Sequence, residues 1–213
     1  MRYGVVFPFD NVQDVLRLAD AAEAAGWDGL FVGDGIWSLD PWVVLAAVAM
    51  RTTRLRIGTL LTPVSRRRPS KLASEAATLD QLSNGRVILS VGLGALDTGF
   101  ENFGEATDRR VRAERLDEGL EIITRLWTRE PFDYSGKHYQ VNRLAYPLPA
   151  PIQTPRVPIW VVGVWPHEKS IQRALRWDGW LTAMVTVATL LSSWPSEARK
   201  VKESVPEKPA VGV

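Results

Sequence analysis

The chain has 213 residues and a net charge of +2, with 46% hydrophobic and 23% charged residues. That balance is typical of a globular protein with a sizeable core. Cysteine is absent and the two histidines, His138 and His167, are far apart, which excludes disulfides and thiolate sites and argues against a metal centre. Residues 1–8 lack the apolar region of a signal peptide, and no stretch is both long and apolar enough to span a bilayer. We therefore expect a cytoplasmic protein without a membrane partner.

One dense basic segment is present, the arginine run Arg66 to Arg68. Such a run could contact phosphate or nucleic acid. No aromatic or basic stripe accompanies it, and a solvated loop flank is the simpler interpretation. No nucleic-acid partner is expected.

Short apolar runs alternate with amphipathic segments along the chain. The apolar runs predict strands at residues 3–7, 29–33, 55–61, 87–91, 159–162 and 179–184, with a seventh beginning at 210. Helices are predicted from Asp10 to Gly26 and over residues 40–51, 71–82, 109–127, 166–176 and 187–201. Residues 132–141 predict a small hairpin, and the five prolines of residues 147–158 exclude a helix or central strand there. A single domain over residues 1–213, with an insertion region at about 95–158, accounts for this order.

Alternating strands and helices predict an α/β fold with parallel strands and right-handed crossovers. An open doubly wound sheet and a closed barrel both satisfy the pattern. A dinucleotide-binding sheet would carry G-x-G-x-x-G after an early strand, but no glycine run follows residues 3–7, and Gly92-Leu93-Gly94 lacks the third glycine. We therefore predict a (β/α)8 barrel of the TIM type, incomplete at the C-terminus, with six to seven strands.

Four parts of the chain together resemble the bacterial luciferase-like monooxygenase family. They are GWDGLFVGD (26–34), PW (41–42) with RIGTLLTP (56–63), LASEAATLDQLSNGR (72–86) with VGLG (91–94), and PIWVVG (158–163) with RWDGW (176–180). The resemblance extends over residues 1–182 and implies a (β/α)8 barrel. It also implies a cofactor, either FMN or the 8-hydroxy-5-deazaflavin coenzyme F-420, and a small organic substrate.

The ends of the strands are where a barrel places its site. A flat flavin ring needs small residues where the backbone approaches it and aromatic or aliphatic walls elsewhere. We expect the backbone contacts at Gly58, Thr59, Leu60, Gly92, Leu93, Gly94 and Gly163, and the walls at Phe7, Trp37 and Trp165. Alternatively, the glycines only end strands and the tryptophans fill the core. The resemblance further implies a non-proline cis peptide at the end of the third strand, around Gly58, Thr59 and Leu60.

Two residues are candidates for proton transfer, Asp34 and His167. The resemblance implies a histidine directly after the acidic residue of the second strand, but here Asp34 is followed by Gly35. Asp34 could act instead if burial raised its pKa, or it could be a loop cap or an ion-pair partner. His167, just after the fifth strand, is the second catalytic candidate, with a surface helix cap as its alternative.

The leading hypothesis is a flavin- or deazaflavin-dependent oxidoreductase. With FMN it would be a monooxygenase, and with F-420 it would transfer hydride. The alternative is a non-catalytic flavin-binding or assembly protein derived from the same family. A barrel hydrolase or aldolase is least favoured, because no metal cluster or catalytic lysine stands at a strand end. An unclosed barrel leaves edge strands unpaired, so we also expect self-association, such as a homodimer.

Overall fold

The computed structural model describes residues 3–7, 11–143, 148–164 and 167–181. The predicted helix at 187–201 and the seventh strand lie outside this part of the chain. One curled, parallel sheet is formed by the strands β1 (Gly4–Phe7), β2 (Gly29–Val32), β3 (Arg56–Thr59), β4 (Thr62–Pro63), β5 (Val87–Gly92), β8 (Ile159–Val162) and β9 (Gly179–Leu181). Their order in the sheet is β1-β2-β3-β5-β8-β9, with the short β4 beside β5. This half-barrel confirms the predicted α/β class.

Helices occupy the crossovers between the parallel strands. They are α1 (Val12–Ala24), α2 (Pro41–Arg51), α3 (Pro69–Leu82), α4 (Arg109–Thr128) and α5 (Glu168–Ala174), and short 3-10 helices lie at Val64–Arg66, Leu96–Thr98 and Glu101–Phe103. The predicted hairpin forms from β6 (Tyr134–Ser135) and β7 (Gln140–Val141), which pair antiparallel. In the described parts of the chain, no helix has the length and apolarity needed to cross a membrane.

Local signals set the helix ends. Asp40 caps α2 at the predicted start of that helix: its carboxylate accepts hydrogen bonds from two backbone N–H groups, and Pro41 follows at the first helical position. The cap of α1 is Asn11, one residue after the predicted start, and its side chain accepts from Gln13 N. Gly26 has a φ of +80°, the left-handed conformation expected just after a helix.

The main core lies between the convex face of the sheet and the helices. Alternate residues of β5 and β8 point into it, among them Leu89, Val91, Ile159 and Val161, all fully buried. Burying each such side chain contributes roughly 1.5–3 kcal/mol. Among the tryptophans, Trp42 lies in this core, whereas Trp27 is 36% exposed.

The opposite, concave face holds a smaller aromatic contact. Phe31 of β2 stacks on Trp160 of β8 with ring centroids 5.7 Å apart. Glycines make room beside Phe31: a Cβ atom on Gly29 would lie 3.1 Å from that ring, and one on Gly58 would lie 3.3 Å from it. At Gly58 the same Cβ would also meet the Ile88 carbonyl oxygen at 2.2 Å, so only glycine permits the pairing of β3 with β5.

Carboxylates hold the amino-terminal ends of the strands. Asp28 accepts a hydrogen bond from the backbone N–H of Tyr3, just before β1, and Asp178 accepts one from Ile159 at the start of β8, both at 2.8 Å. Glu23 accepts from the backbone of three residues before β3, namely Thr53, Arg54 and Leu55. Asp80 accepts from Ile152 and Gln153, in the proline-rich segment that leads to β8. This edge of the sheet is thus fixed by side-chain to backbone bonds.

Candidate active site

Parallel pairing brings the carboxyl ends of the strands to one edge of the sheet. Phe7 pairs with Val32 and Val32 with Thr59, while Val161 lies opposite both Val91 and Trp180. The loops that leave this edge contain the residues predicted to form the site. Two cavities lie among these loops, and we call them the basic cleft and the polar cavity.

The basic cleft, about 620 Å³ in volume, lies where β5 and β8 end and α4 and α5 begin. Its apolar surface comes from Leu93, Leu116 and Val162, together with Ala113. Its charged and polar lining is Asp108, Arg109, Arg110, His167, Glu168, Lys169, Ser170 and Arg173. It is therefore a pocket with an apolar part and a charged part, in which four cations stand beside two carboxylates.

Carboxylates neutralise only some of these cations. Arg110 pairs with Glu114 at 3.0 Å, and Arg173 makes a two-point contact with Asp117 at 2.6 and 2.9 Å. Within the described residues, Arg109 and Lys169 form no ion pair. In the described part of the chain, two cations of the cleft thus have no ion-pair partner, and they share its lining with Asp108 and Glu168.

Arg112 lies directly behind the basic cleft and is 5% exposed. Its Nη1 donates to the carbonyl oxygens of Leu93 at 2.9 Å and Gly94 at 3.0 Å. Burial lowers the pKa of Arg112 and the nearby charge of Arg109 lowers it further, although Asp108 opposes them. Arg112 therefore holds the loop after β5 in place and adds to the positive potential.

The polar cavity, about 400 Å³ in volume, lies between the loops after β2, β4 and β5. It is lined by Asp34, Gly35, Ile36, Ser38, Asp40, Pro41, Arg66, Arg67, Phe103 and Glu105. Three carboxylates and two guanidinium groups are thus brought together from parts of the chain about 30 to 70 residues apart. Unlike the basic cleft, this cavity has both charges in nearly equal number.

Arg67 is held by carboxylates on two sides. It makes a two-point contact with Asp34, at 3.0 and 3.1 Å, and a longer one with Glu75 at 3.5 Å. Burial acts to lower the pKa of Arg67, but the hydrogen bond to Asp34 and the charges of Asp34, Glu75 and Asp40 outweigh it and raise that pKa. Arg67 is consequently a permanent cation.

The prediction of a solvated arginine run is wrong for two of its three members. Arg66 and Arg67 have side chains only 14% and 20% exposed. Arg66 lies 2.8 Å from the carboxylate of Glu105, and its guanidinium stands 5.2 Å above the ring of Phe100. Only Arg68 is exposed. The physical reason is that distant carboxylates, in the loops after β2 and β5, pair with the run.

Phe100 joins the two cavities and was not singled out in the sequence. It is fully buried and lies between two arginines, Arg66 on the polar cavity and Arg112 behind the basic cleft, with guanidinium carbons 5.2 and 5.1 Å from the ring centroid. The sequence signal that could have identified Phe100 is an aromatic residue in the polar loop that follows Gly94. The Phe100 ring thus packs against one arginine from each side.

The glycines predicted to approach a flavin ring all have packing partners in the protein. A Cβ atom on Gly92 would lie 3.0 Å from Leu61, one on Gly94 2.9 Å from Phe100, and one on Gly163 2.2 Å from Trp180. Gly94 also has a φ of +76°. These contacts explain the glycines without a ligand, and their part in cofactor binding stays a prediction.

The end of β3 combines a buried threonine with a cis peptide bond. Thr59 is fully buried, and its hydroxyl donates to the Ser90 carbonyl and accepts from the Thr62 hydroxyl. Its backbone contact with a cofactor stays a prediction. The peptide bond between Leu60 and Leu61 is cis. The resemblance implied such a bond here, one residue earlier.

Of the three residues predicted as aromatic walls, the structure describes the side chain of Trp37. Trp37 is 68% exposed and contacts Phe103, a lining residue of the polar cavity, with ring centroids 5.6 Å apart. For Phe7, the last residue of β1, only the backbone is described. Trp165 lies outside the described residues.

The two predicted catalytic residues are in different cavities. Asp34 lines the polar cavity, where both carboxylate oxygens accept from Arg67, and His167 lines the basic cleft. The backbone of His167 caps α5, but its side chain makes no capping hydrogen bond. The structure therefore favours the ion-pair interpretation of Asp34 and does not bring the two candidates together.

Among the described residues, no group of three or more His, Asp or Glu is placed to hold a metal ion.

Comparison with known proteins agrees with this architecture. The family model described as luciferase-like monooxygenase matches residues 1–212. The chain belongs to this family. Among curated relatives, the F420-dependent glucose-6-phosphate dehydrogenase of Amycolatopsis mediterranei (strain U-32) is 37% identical over 139 residues, which is 61% of this chain and 42% of the relative. The chain thus spans about half the length of the curated relatives it matches.

Solved structures of the family have the same arrangement. Monooxygenase RslO1 from Streptomyces bottropensis is 31% identical, with a TM-score of 0.73 over 83% of this chain and 57% of that protein. The coenzyme F420 dependent tetrahydromethanopterin reductase of Methanopyrus kandleri is 26% identical, with a TM-score of 0.74 over 84% of this chain and 55% of that protein. The family therefore includes both F420-dependent enzymes and a monooxygenase.

Proposed function

We propose that the chain is the cofactor-binding part of an oxidoreductase that uses coenzyme F-420 or FMN and acts on a small organic molecule. The basic cleft is the observation that carries this proposal. It lies at the carboxyl ends of β5 and β8, the edge at which barrel enzymes bind their ligands. The names of the relatives support the same choice of cofactor.

The residues of the basic cleft fit such a cofactor chemically. Both coenzymes carry a phosphate attached to a flat, largely apolar ring system, and Arg109 and Lys169 are cations without a carboxylate partner among the described residues. They would hold the phosphate end, while Leu93 and Val162 would contact an apolar part. When bound, F-420 supplies hydride transfer without oxygen, and reduced FMN supplies oxygen activation.

A fluorescence titration of the purified chain with F-420 and with FMN tests this proposal. Lys169→Gln and Arg109→Gln should each raise the dissociation constant about tenfold, since each removes one charged contact to phosphate. Salt should weaken binding in the wild type. Lys71→Gln is the matched control, because Lys71 is 71% exposed on α3 and does not line the cleft. Binding of neither coenzyme, or binding unaffected by both variants, would contradict the proposal.

A second candidate is a flavin-binding protein without catalysis. The observation in its favour is that Arg67 occupies both oxygens of Asp34, so this carboxylate is not free to move a proton, and Gly35 follows it. The two candidates differ in the reactivity of the bound coenzyme. Reoxidation of bound reduced FMN at the rate of free FMN, together with no reduction of bound F-420 by a panel of alcohols, would favour the binding protein.

A further inference from the structure

We infer that the outer face of α2 is a dimer interface, on which a second copy of this chain packs its own α2 in the antiparallel direction. This face consists of Val43, Ala46, Ala47 and Met50, and we call it the α2 stripe. The composition of the helix, the symmetry of the stripe and the charges at its two ends lead to this partner.

The α2 helix is apolar on every side. Its first ten residues, from Pro41 to Met50, include no polar side chain. One side of the helix is buried in the core, whereas Val43 and Met50 on the other side are 71% and 70% exposed. A surface helix normally has polar residues opposite its buried side, and a helix that is hydrophobic all round is typically covered all round. The α2 stripe therefore calls for a partner.

The two neighbouring helices have ordinary polar outer faces. α2 packs between α1 and α3. The exposed positions of these two helices include Gln13, Asp14 and Arg17 on α1, and Ser70, Lys71 and Thr78 on α3. The apolar outer face is thus a property of α2 itself and not of this side of the protein as a whole.

The α2 stripe is symmetric about its midpoint. Val43 stands three residues before Ala46, and Met50 stands three residues after Ala47, so the four side chains lie on one face of the helix. A two-fold axis through the midpoint packs Val43 against the partner's Met50 and places the alanines of the two copies opposite each other. Small alanine side chains at the centre allow the helix axes to approach to about 8 Å. The stripe is therefore complementary to itself.

Charges at the two ends of the stripe suit the antiparallel direction. Asp40 caps the amino-terminal end of α2, and Arg51, its last residue, pairs with Asp20 but is still 48% exposed. In the antiparallel dimer, Arg51 lies beside the first turn of the partner helix, near the partner's Asp40. The two helix dipoles also point in opposite directions, which is the favourable arrangement. A parallel pair would instead bring like charges together.

The size of the stripe indicates a weak dimer. Four side chains supply less than the about 800 Å² per partner of a standard interface, so α1 and α3 must add a polar rim. We therefore expect a dissociation constant in the micromolar range. This surface is also distinct from the unpaired edge strands, on which self-association was expected from the sequence.

A membrane suits the stripe less well than a second copy does. α2 is about 16 Å long, roughly half the thickness of the hydrocarbon core of a bilayer. A helix that lies in the membrane surface usually has several lysines or arginines beside its apolar face. α2 has one such residue, Arg51, and it is paired with Asp20.

Sedimentation velocity of the full chain without coenzyme, between about 1 and 100 μM, tests the inference. We expect a monomer at the lower end of this range and a dimer at the upper end. Val43→Lys and Met50→Lys should each raise the dissociation constant of the dimer about tenfold or more, because the two-fold axis places each new charge in the interface twice. Both positions are exposed, and circular dichroism checks that the variants are folded.

Leu175→Lys is the matched control. Leu175 is an exposed apolar residue, at 61%, but it follows α5, which packs against β8 and β9. This variant adds the same charge far from α2 and should leave the dissociation constant unchanged.

A double variant, Val43→Lys with Met50→Glu, tests the antiparallel register. The new ammonium group of each copy then faces the new carboxylate of the other. The double variant should therefore dimerise about tenfold more tightly than Val43→Lys alone. Equal weakness of the two would overturn the register.

A chain that stays monomeric over the whole concentration range would overturn the inference, as would a dimer that both single lysine variants leave intact. Equal weakening by Leu175→Lys would place the contact near β9 instead. A monomer that co-sediments with phosphatidylcholine vesicles would assign the stripe to a membrane surface and would also overturn it. The inference does not rest on the proposed function, since the coenzyme titration and the sedimentation experiment can fail separately.

Discussion

Asp34 and Arg67 form a two-point ion pair, with Arg67 Nη2 3.0 Å from Oδ1 and Nε 3.1 Å from Oδ2. One partner follows β2 and the other precedes α3, so the pair ties together two loops at the carboxyl edge of the sheet. With Glu75 on its other side, Arg67 has a raised pKa and stays charged. The main role of the pair is therefore to hold these two loops together.

Asp34→Asn should lower the free energy of unfolding by about 2 kcal/mol, because it leaves a largely buried guanidinium without its main partner. Arg67→Met should have a similar cost, and the double variant should cost less than the sum of the two. Urea unfolding monitored by tryptophan fluorescence measures all three. Arg17→Met is the control, since its pair with Asp14 is 71% and 50% exposed and contributes little. An Asp34→Asn variant of unchanged stability but altered turnover would instead return Asp34 to proton transfer.

Gly94→Ala should destabilise the fold by about 2 kcal/mol or more. The new Cβ would combine a left-handed backbone, at φ +76°, with contacts of 2.9 Å to Phe100 and 3.0 Å to Pro63. Gly104→Ala separates backbone strain from crowding, because Gly104 has a φ of +65° but nothing within 4 Å of its Cβ position. Gly104→Ala should therefore lower the free energy of unfolding by only about 1 kcal/mol. Thermal unfolding of both variants makes the comparison. Equal costs would mean that the packing on Phe100 is not tight.

Glu23 predicts a specific loss of stability in acid. Burial acts to raise its pKa, but hydrogen bonds from Thr53, Leu55 and Arg54 outweigh it and lower the pKa to about 2, from an ordinary value of 4.5. Because the folded-state pKa is the lower one, this contribution is complete above pH 4.5 and disappears as the pH falls towards 2. Glu23→Gln should thus be less stable than the wild type at pH 7, by about 1 kcal/mol, with the difference shrinking in acid. Urea unfolding at pH 7, 4 and 3 measures this difference in the free energy of unfolding, and the exposed Glu101→Gln is the control. A difference that does not change with pH would refute the lowered pKa of Glu23.

Two carboxylates of α4 contact the hairpin of β6 and β7: Glu114 binds the side chains of Lys137 and His138, and Glu118 binds the backbone. Glu118 accepts hydrogen bonds from the backbone N–H groups of Lys137, His138 and Tyr139, at 3.0, 3.0 and 3.1 Å. Glu118→Gln should speed amide exchange at these three positions about tenfold, without changing global unfolding, because only the hairpin opens. Hydrogen exchange followed by NMR measures this, and Glu101→Gln, an exposed carboxylate outside α4, is the control. Unchanged exchange would show that the other contacts, including those of Glu114 with Lys137 and His138, hold the hairpin.

Sequence reasoning worked where the cause was local. Asp40 and Pro41 start α2 at the predicted position, and the strands at β5 and β8 match their apolar runs, because capping, fixed φ and hydrophobic periodicity act within a few residues. The helix α3 begins two residues earlier than predicted, at Pro69, again a common first helical position.

Sequence reasoning failed where a side chain's environment depends on residues far away in the chain. Nothing near Arg66 and Arg67 in sequence indicates that Asp34 and Glu105 will pair with them, so the run looked like a solvated flank. In the same way, the sequence could place Gly58 and Gly94 at strand ends but could not show that Ile88 and Phe100 fill the space beside them. The insertion region and self-association stay predictions.

The carboxylates at the amino-terminal edge of the sheet have a consequence for how the family can diversify. Asp28, Glu23, Asp80 and Asp178 each bind backbone N–H groups at or before the strands there, whereas both cavities lie at the other edge. Because the tethers and the ligand surfaces share no residue, substitutions that retune recognition in one set of loops leave the anchors of the strands untouched. Random mutagenesis confined to the carboxyl-edge loops should accordingly yield a larger fraction of folded variants with altered ligand preference than the same mutational load placed at the opposite rim.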